Sequence, residues 1–195
     1  KLFSFLSVAI MLSLVLSAAF VIFLVGQSYT GWQVENADRQ EHDRPPLAYT
    51  AYLQSGHFIE ATFENWESEY LQMGAYVLLT VFLFQRGSSE SKDPDNPEPD
   101  APDPEQERQR PDAPWPVRHG GLALKLYENS LSLALLLLFL GAFVLHGIGG
   151  TWVANEERTL HGEAPQTVWQ FMQSTDFWFQ SFQNWQSEFL AVLSV

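Results

Sequence analysis

The chain has 195 residues, no cysteine, 46% hydrophobic residues and a formal net charge of −13 at pH 7. The lack of cysteine excludes disulfides and thiolate metal sites, and the acidic balance argues against nucleic acid, which is bound through Lys and Arg. The mean hydropathy of −0.09 averages long uncharged segments with a very polar one. A single compact soluble domain is therefore excluded.

Residues 2–26 form a long apolar segment without Asp, Glu, Lys or Arg. A bilayer core about 30 Å thick requires roughly 20 apolar residues in a helix, whereas the apolar part of a cleavable signal peptide has about 7 to 15. This segment therefore predicts a transmembrane helix, and residues 130–148 predict another. Residues 71–85 are a shorter uncharged run, which fits a buried or re-entrant helix or, with Trp66 and Tyr70 at its start, a further span.

An internal duplication organises the chain, because a shift of 119 positions superposes its two halves. The run W-E-S-E-Y-L at residues 66–71 falls on W-Q-S-E-F-L at residues 185–190. We expect an all-α membrane protein of two tandem repeats, residues 1–86 and 118–195, each with a spanning helix, an outside amphipathic segment and a second span. Because each repeat crosses twice, both have the same orientation, with an axis along the membrane normal.

The register predicts that the fourth span is truncated, because residues 191–195 correspond only to the start of the second span. The alternative is a three-span protein with an interfacial C-terminal helix. Residues 87–117, rich in Pro, Asp and Glu, predict a disordered acidic linker between the repeats, with Trp115 as a possible membrane-surface anchor.

The positions of Lys and Arg near the membrane ends predict the orientation. One group of basic residues flanks the N-terminus and the linker, and the connections on the other side hold few: the first group is Lys1, Arg86, Lys92, Arg118 and Lys125, and the second is Arg39, Arg44 and Arg158. We therefore expect a cytoplasmic N-terminus and linker, with the inter-helix segments periplasmic or extracellular.

An amphipathic helix is predicted before each second span, with apolar residues recurring every three or four positions. In the first repeat Glu60, Glu64 and Glu67 form the other face, which we interpret as solvated because the second repeat lacks these acids. The residues retained in both repeats are candidates for a structural or pathway role: they are Asn65, Glu69, Asn184, Glu188, Arg39 and Arg158. Trp66 and Trp185 are the expected interface anchors, and pairing of the arginines with Glu69 or Glu188 is the structural interpretation.

No metal site is predicted, because His42 and His161 lie near acids without a zinc-ligand spacing. His146, in the third span, corresponds to Gln27 in the repeat and is more simply a hydrogen-bonding residue than a haem or chlorophyll ligand. Phosphate-binding loops, nucleophile elbows and dinucleotide fingerprints are missing from the sequence. We therefore expect no enzyme activity and no cofactor.

The duplicated W-[EQ]-S-E-[YF]-L motif, F-L-F-Q-R-G-S-S-E-S-K at residues 82–92 and N-S-L-S-L at residues 129–133 resemble an uncharacterised family of small bacterial integral membrane proteins, a domain of unknown function. The resemblance covers nearly the whole chain. It implies a bacterial inner-membrane protein with four helices and a duplicated unit, and it implies no activity.

Two functions remain open at this point. The first is a structural or accessory membrane protein, a small scaffold subunit of a larger assembly such as a respiratory or photosynthetic complex, whose partners are the lipid bilayer and other membrane subunits. Its spans carry no charge, and Ser13 and Ser17 provide a small face for close helix packing. The alternative is a small channel or transporter built from parallel repeats, although the spans lack midplane charges and broken helices.

Overall fold

The computed structural model describes residues 2–83 and 107–194, with side chains from residue 11 onward. This part of the chain is helical and contains no β-strand, which confirms the predicted all-α class. Eight helices are described: α1 (Leu2–Glu41), α2 (Tyr49–Tyr52), α3 (Gly56–Phe82), α4 (Trp115–His119), α5 (Gly121–Glu128), α6 (Ser130–Leu160), α7 (Val168–Met172) and α8 (Thr175–Leu193). Residues 87–106 of the predicted linker lie outside the described residues.

Helices α1 and α6 are long and apolar enough to cross a membrane. The two segments are Met11–Glu41 and Ser130–Leu160, each of 31 residues. The most apolar 18 residues of each segment have mean hydropathies of 2.1 and 2.4. Only 6% and 17% of the residues in these stretches are buried within the chain. A core helix of a soluble protein would be mostly buried, whereas the apolar side chains of α1 and α6 are mostly exposed, as they are in helices that face lipid or another protein.

Both long helices continue further than the sequence suggested. The predicted first span ended near Gly26, but α1 runs without interruption to Glu41. The third span was expected to end near residue 148, and α6 continues to Leu160. The physical reason is that neither a proline nor a glycine interrupts the last turns of either helix, and their polar residues are compatible with a helix.

Serine side chains fix the start of α3 and α8. The Oγ of Ser55 accepts a hydrogen bond from the backbone N–H of Phe58 at 3.3 Å, and the Oγ of Ser174 accepts one from Phe177 at 3.2 Å. These are N-terminal caps, which satisfy backbone donors that have no partner inside the helix. The predicted amphipathic helix of each half thus lies within α3 or α8.

The chain divides into two compact units, and each is considered separately below. Unit 1 comprises Lys1–Ala61 and Ile148–Pro165, and unit 2 comprises Thr62–Gly147 and Gln166–Val195. Unit 1 includes the polar ends of α1 and α6. Unit 2 includes α7, α8 and the parts of α3 and α6 that carry Glu67 and His146.

Candidate functional site

The candidate functional site is a buried ionisable pair in unit 2. His146 lies in α6 and Glu67 in α3, and both side chains are completely inaccessible to solvent, at 0% exposure. The Nδ1 atom of His146 lies 2.9 Å from Oε2 of Glu67. A histidine and a glutamate from two helices are thus joined directly inside the protein.

Helix α8 supplies the remaining partners of this pair. The indole Nε1–H of Trp185 donates to Oε1 of Glu67 at 3.1 Å, and Oε1 of Gln180 lies 3.1 Å from Nε2 of His146. The four side chains of Glu67, His146, Gln180 and Trp185 therefore connect α3, α6 and α8. We refer to these four residues as the His146 network.

The contacts occupy both ring nitrogens of His146. Glu67 and Gln180 each place an oxygen atom within hydrogen-bond distance of one nitrogen. With a carboxylate at Glu67 and the Gln180 oxygen in this position, both nitrogens donate, as in an imidazolium; with the Gln180 amide reversed, its N–H₂ group donates to Nε2 of a neutral ring. The geometry therefore accommodates both protonation states of His146.

A second carboxylate of α3 is bound next to the network. The Nδ2 group of Asn184 donates to Oε1 of Glu64, one turn before Glu67, and also to the backbone oxygen of Gln180 at 3.1 Å.

The predicted solvated face of Glu60, Glu64 and Glu67 is wrong for Glu67, because this side chain is completely buried. A local pattern in the sequence does not reveal that α6 and α8 cover this side chain.

Aromatic rings pack around the network, in which His146 and Glu67 are buried and Gln180 and Trp185 are half-buried. The ring of Phe177, at 0% exposure, lies 4.7 Å from the ring of His146 between centroids. Phe143 lies 5.1 Å from Phe177, and Phe139 lies 6.3 Å from Trp185. Polar interactions in such surroundings are stronger than in water, and an unpaired polar group is correspondingly costly.

Unit 1 contains a second polar cluster, at the ends of α1 and α6. One carboxylate oxygen of Glu156 accepts from Arg39 at 3.1 Å and also from Arg44. Arg44 donates in addition to Asp38 at 2.6 Å, and Arg39 lies 3.5 Å from Glu35. We call these five residues the Glu156 cluster.

A cleft of about 420 Å³ lies beside the Glu156 cluster and is lined by histidine and acidic side chains, including His57 and Glu157. The buried Tyr52 shares a 3.1 Å hydrogen bond with Nδ1 of His57 at this place. Burial, followed by the negative charge of Glu35 and the neighbouring Tyr49, raises the pKa of Tyr52 to about 12.

The segment between α1 and α2 is anchored by Asn36. Its Oδ1 accepts from the backbone N–H of Leu47 at 2.7 Å, and its Nδ2 donates to the backbone oxygen of Leu47 at 3.1 Å. The indole of Trp32 donates to the same oxygen at 2.8 Å. Asn36 therefore acts as a backbone mimic that holds the loop against α1.

The two predicted arginines are bound to carboxylates other than the expected Glu69 and Glu188. Arg39 belongs to the Glu156 cluster and donates from Nε to the backbone oxygen of Pro45 at 2.9 Å. Arg158 donates from Nε to the backbone oxygen of Ala164 at 2.7 Å and pairs with Glu163 at 3.0 Å. Each arginine thus bonds to the turn that follows its own helix and to carboxylates of its own unit.

The other predicted residues are distributed over α3 and α8. Trp185 and Asn184 lie in and beside the His146 network, whereas Glu69 and Asn65 are exposed and Glu188 is half-buried. Trp66 is half-buried with its ring 5.1 Å from that of Phe63. The structure thus brings two of the predicted residues to the site and leaves the others outside it.

Sequence reasoning missed Glu67 and Gln180 and gave His146 only a hydrogen-bonding role. One signal was present: residues 130–150 of α6 contain no Asp, Glu, Lys or Arg and a single histidine, and such a residue needs a polar partner from another helix.

Among the described residues, no group of three or more His, Cys, Asp or Glu is arranged to hold a metal ion.

The model of one protein family, described as a domain of unknown function (DUF6766), matches residues 7–195. The chain belongs to this family. The match includes every residue of the His146 network and of the Glu156 cluster, which makes both part of the DUF6766 domain. No curated protein and no solved structure matches the chain.

Proposed function

We propose that this DUF6766 protein is an integral membrane protein with a structural or accessory role, a scaffold subunit of a larger membrane assembly. The supporting observation is the combination of exposed apolar helices with a buried polar network whose ionisable groups are all hydrogen-bonded. Exposed apolar faces suit lipid or partner helices. A satisfied network suits a fixed connection between α3, α6 and α8.

The lengths of α1 and α6 support insertion in the membrane. At 1.5 Å per residue, a segment of 31 residues extends about 46 Å, whereas the hydrocarbon core is about 30 Å thick. The difference accommodates the polar ends that carry Arg39 and Glu156. In this arrangement the Glu156 cluster lies in the aqueous layer outside the bilayer.

The proposal includes two tandem repeats with four spans, in which α3 and α8 begin the second and fourth crossings. Supporting it, the turns after α1 and α6 have matching local hydrogen bonds 119 positions apart. Arg39 and Arg158 each donate from Nε to a carbonyl six residues later, and His42 and His161 each place Nδ1 2.9 Å from a carbonyl four residues earlier.

The following turns and caps agree with the same register. Asp43 and Gly162 occupy the two equivalent positions with positive φ, at 53° and 73°. The serine caps Ser55 and Ser174 are also 119 positions apart. The proposed compartment is the bacterial inner membrane, with a cytoplasmic N-terminus and linker, on the strength of the distribution of Lys and Arg.

A small channel or transporter is the second candidate. The observation that favours it is the completely buried pair of His146 and Glu67. His146 lies on α6, which is long enough to cross a membrane, and Glu67 lies on α3. Ionisable residues within membranes often belong to ion pathways. Against this candidate, each polar atom of the pair already has a protein partner.

Native purification separates the two candidates. The tagged full chain is extracted from its own membranes in mild detergent, and co-purifying proteins are quantified. A stoichiometric membrane partner supports the scaffold role, and purified chain in vesicles should then show no flux above empty vesicles. A flux that depends on His146 and a preparation free of partners would overturn it.

A matched pair of variants tests the membrane insertion that the proposal requires. Phe23→Lys places a charge on an exposed face of α1, where the phenylalanine is 74% exposed, whereas Glu41→Lys changes the polar end of the same helix. A charge at membrane depth costs about 2.5–3.5 kcal/mol, and one at the end costs far less. Membrane insertion should therefore fail more often for Phe23→Lys.

A further inference from the structure

The His146 network joins its helices through two ionisable side chains. Burial of two charges requires desolvation that their attraction only partly offsets, and uncharged replacements are often as stable. In the 119-residue register the corresponding residues are uncharged and exposed: His146 corresponds to Gln27 and Glu67 to Gln186. A buried pair of His and Glu has a property that glutamines lack, which is exchange of a proton.

We propose that His146 and Glu67 form a proton-binding site that takes up and releases one proton inside the helix bundle of unit 2. The inference uses the geometry of the site and does not depend on the scaffold role.

The proton balance follows from the contacts. In the protonated state Nδ1–H of His146 donates to Glu67 and Nε2–H donates to Gln180, at 2.9 and 3.1 Å. On release, the Nε2–H bond breaks, its electron pair stays on Nε2, and the proton passes to water. The Nδ1–H hydrogen bond to Glu67 remains.

Gln180 allows both states to be satisfied. Its amide carries a carbonyl oxygen and an N–H₂ group, and a half-turn about the last side-chain bond exchanges them. In the released state the N–H₂ group donates to the bare Nε2. Meanwhile Glu67 keeps two donors, Nδ1–H of His146 and the indole N–H of Trp185, so its charge stays hydrogen-bonded.

Few other charged groups face the imidazole ring. From α3 these are Glu67 and Glu64, and the Glu64 carboxylate is bound by Asn184. The α8 residues around the ring are uncharged, and Asp176, next to Phe177, is exposed. Helix α7 contains no titratable side chain, and α6 contributes no Asp, Glu, Lys or Arg between residues 130 and 150.

The test uses the full chain in lipid nanodiscs with isotope-labelled histidine. Ring nitrogen and carbon signals are followed by NMR between about pH 4 and pH 9, the range in which histidines exchange protons. We expect the His146 signals to change reversibly, with both nitrogens protonated at low pH and only Nδ1 protonated at high pH. His146 signals that stay constant over this range would overturn the proposal.

Assignment does not require a His146 variant to fold. The other four histidines are replaced one at a time, and the signals that disappear are assigned to the replaced residue: the variants are His42→Gln, His57→Gln, His119→Gln and His161→Gln. The signals that persist in all four variants belong to His146. These variants lie outside the network.

A second measurement counts protons. Wild type and the double variant His146→Gln/Glu67→Gln, which copies the residues at positions 27 and 186, are stepped between the two pH values in weak buffer. The wild type should exchange one more proton per chain. Equal proton counts for the two proteins would reject the site. The single variant Glu67→Gln gives a further check, because a charged partner at this distance changes the proton affinity of a histidine about tenfold or more. A proton affinity of His146 in this variant within about twofold of wild type would also reject the site.

Discussion

Gly149 of α6 lies directly against the backbone of Glu60 in α3. A Cβ atom at position 149 would lie 2.9 Å from the Cα of Glu60 and 3.0 Å from the carbonyl carbon of Ile59. Backbone atoms cannot move aside as a flexible side chain does. The close approach of α3 and α6 in unit 1 therefore depends on glycine at this position, as in small-residue contacts between membrane helices.

We predict that Gly149→Ala lowers the free energy of unfolding by about 1–3 kcal/mol, because the methyl group forces the helices apart. The control is Gly141→Ala in the same helix, where an added Cβ meets nothing within 4 Å. Alanine is the better helix former, so this variant should be neutral or more stable by about 0.5–1 kcal/mol. Denaturation in detergent compares them, and equal effects would contradict the close contact.

The helices themselves could be predicted from composition, because long uncharged segments specify membrane-length helices without tertiary information. Their ends were less predictable: the continuation of α1 to Glu41 uses polar residues that are compatible with either a helix or a loop. The caps Ser55 and Ser174 are local signals and were not recognised, although serine before an amphipathic helix is a common start.

The site was harder to predict than the helices because its residues are distant in sequence. Glu67 lies 79 positions from His146, and Arg39 lies 117 positions from Glu156. Trp185 was identified for its position in the duplicated motif, and its hydrogen bond to Glu67 was not foreseen. Charge and periodicity describe one helix at a time, whereas these pairs are defined by how helices pack.

The next prediction concerns Ser181, whose buried Oγ has no hydrogen-bond partner within the described part of the chain. Such a group costs about 1–3 kcal/mol, and an apolar replacement removes this cost. We expect Ser181→Ala to raise the free energy of unfolding by about 0.5–1.5 kcal/mol. The unfolding midpoint in detergent is the measurement.

Ser68 provides the matched control, because it is equally buried and its Oγ donates to the backbone oxygen of Asn65 at 2.7 Å. Ser68→Ala should be neutral or lower the free energy of unfolding by up to about 1 kcal/mol. If both alanine variants lost the same stability, the unpaired hydroxyl of Ser181 would have no energetic importance.

The Glu156 cluster gives a prediction about charge. One Glu156 oxygen binds both Arg39 and Arg44, whose side chains are only 14% and 17% exposed. We expect Glu156→Gln to lower the free energy of unfolding by about 0.5–1.5 kcal/mol, a modest value because Glu156 itself is half exposed and Arg39 and Arg44 keep other acidic partners. The loss should shrink in high salt.

Glu163→Gln is the control for this charge effect. Glu163 is exposed and, within the described part of the chain, pairs with one arginine, Arg158, at 3.0 Å, so its loss should cost no more than about 0.5 kcal/mol. A larger loss for Glu163→Gln than for Glu156→Gln would show that sharing one carboxylate between two arginines adds no stability.

Tyr52 makes stability depend on alkaline pH. Burial, then Glu35 and Tyr49, raises its pKa from 10.0 to about 12 in the folded chain. Below pH 10 the hydroxyl is protonated in both folded and unfolded chains and the stability is fully present. Between pH 10 and 12 the unfolded chain releases this proton first, so stability falls with rising pH, by about 2–3 kcal/mol in total.

Tyr52→Phe removes this contribution. At pH 8 it should cost about 0.5–1.5 kcal/mol, because the 3.1 Å hydrogen bond to His57 is lost. Between pH 10 and 12 the variant should lose less stability than the wild type. Parallel pH dependence of the two proteins in chemical denaturation would rule out a buried Tyr52 hydroxyl as the cause.

The last prediction tests the proposed membrane orientation. The chain contains no cysteine, so single substitutions report their own position without a background. Asp43→Cys and Glu163→Cys lie in the turns after α1 and α6, and Ser89→Cys lies in the segment placed in the cytoplasm by the distribution of Lys and Arg. A membrane-impermeant thiol reagent added to intact cells should label the first two variants and label Ser89→Cys only after the membrane is opened.

Because Asp43 and Glu163 follow different long helices, equal labelling of both also tests the common orientation of the two halves. Labelling of one turn but not the other would exclude parallel repeats, and the fully reversed pattern would place the N-terminus outside.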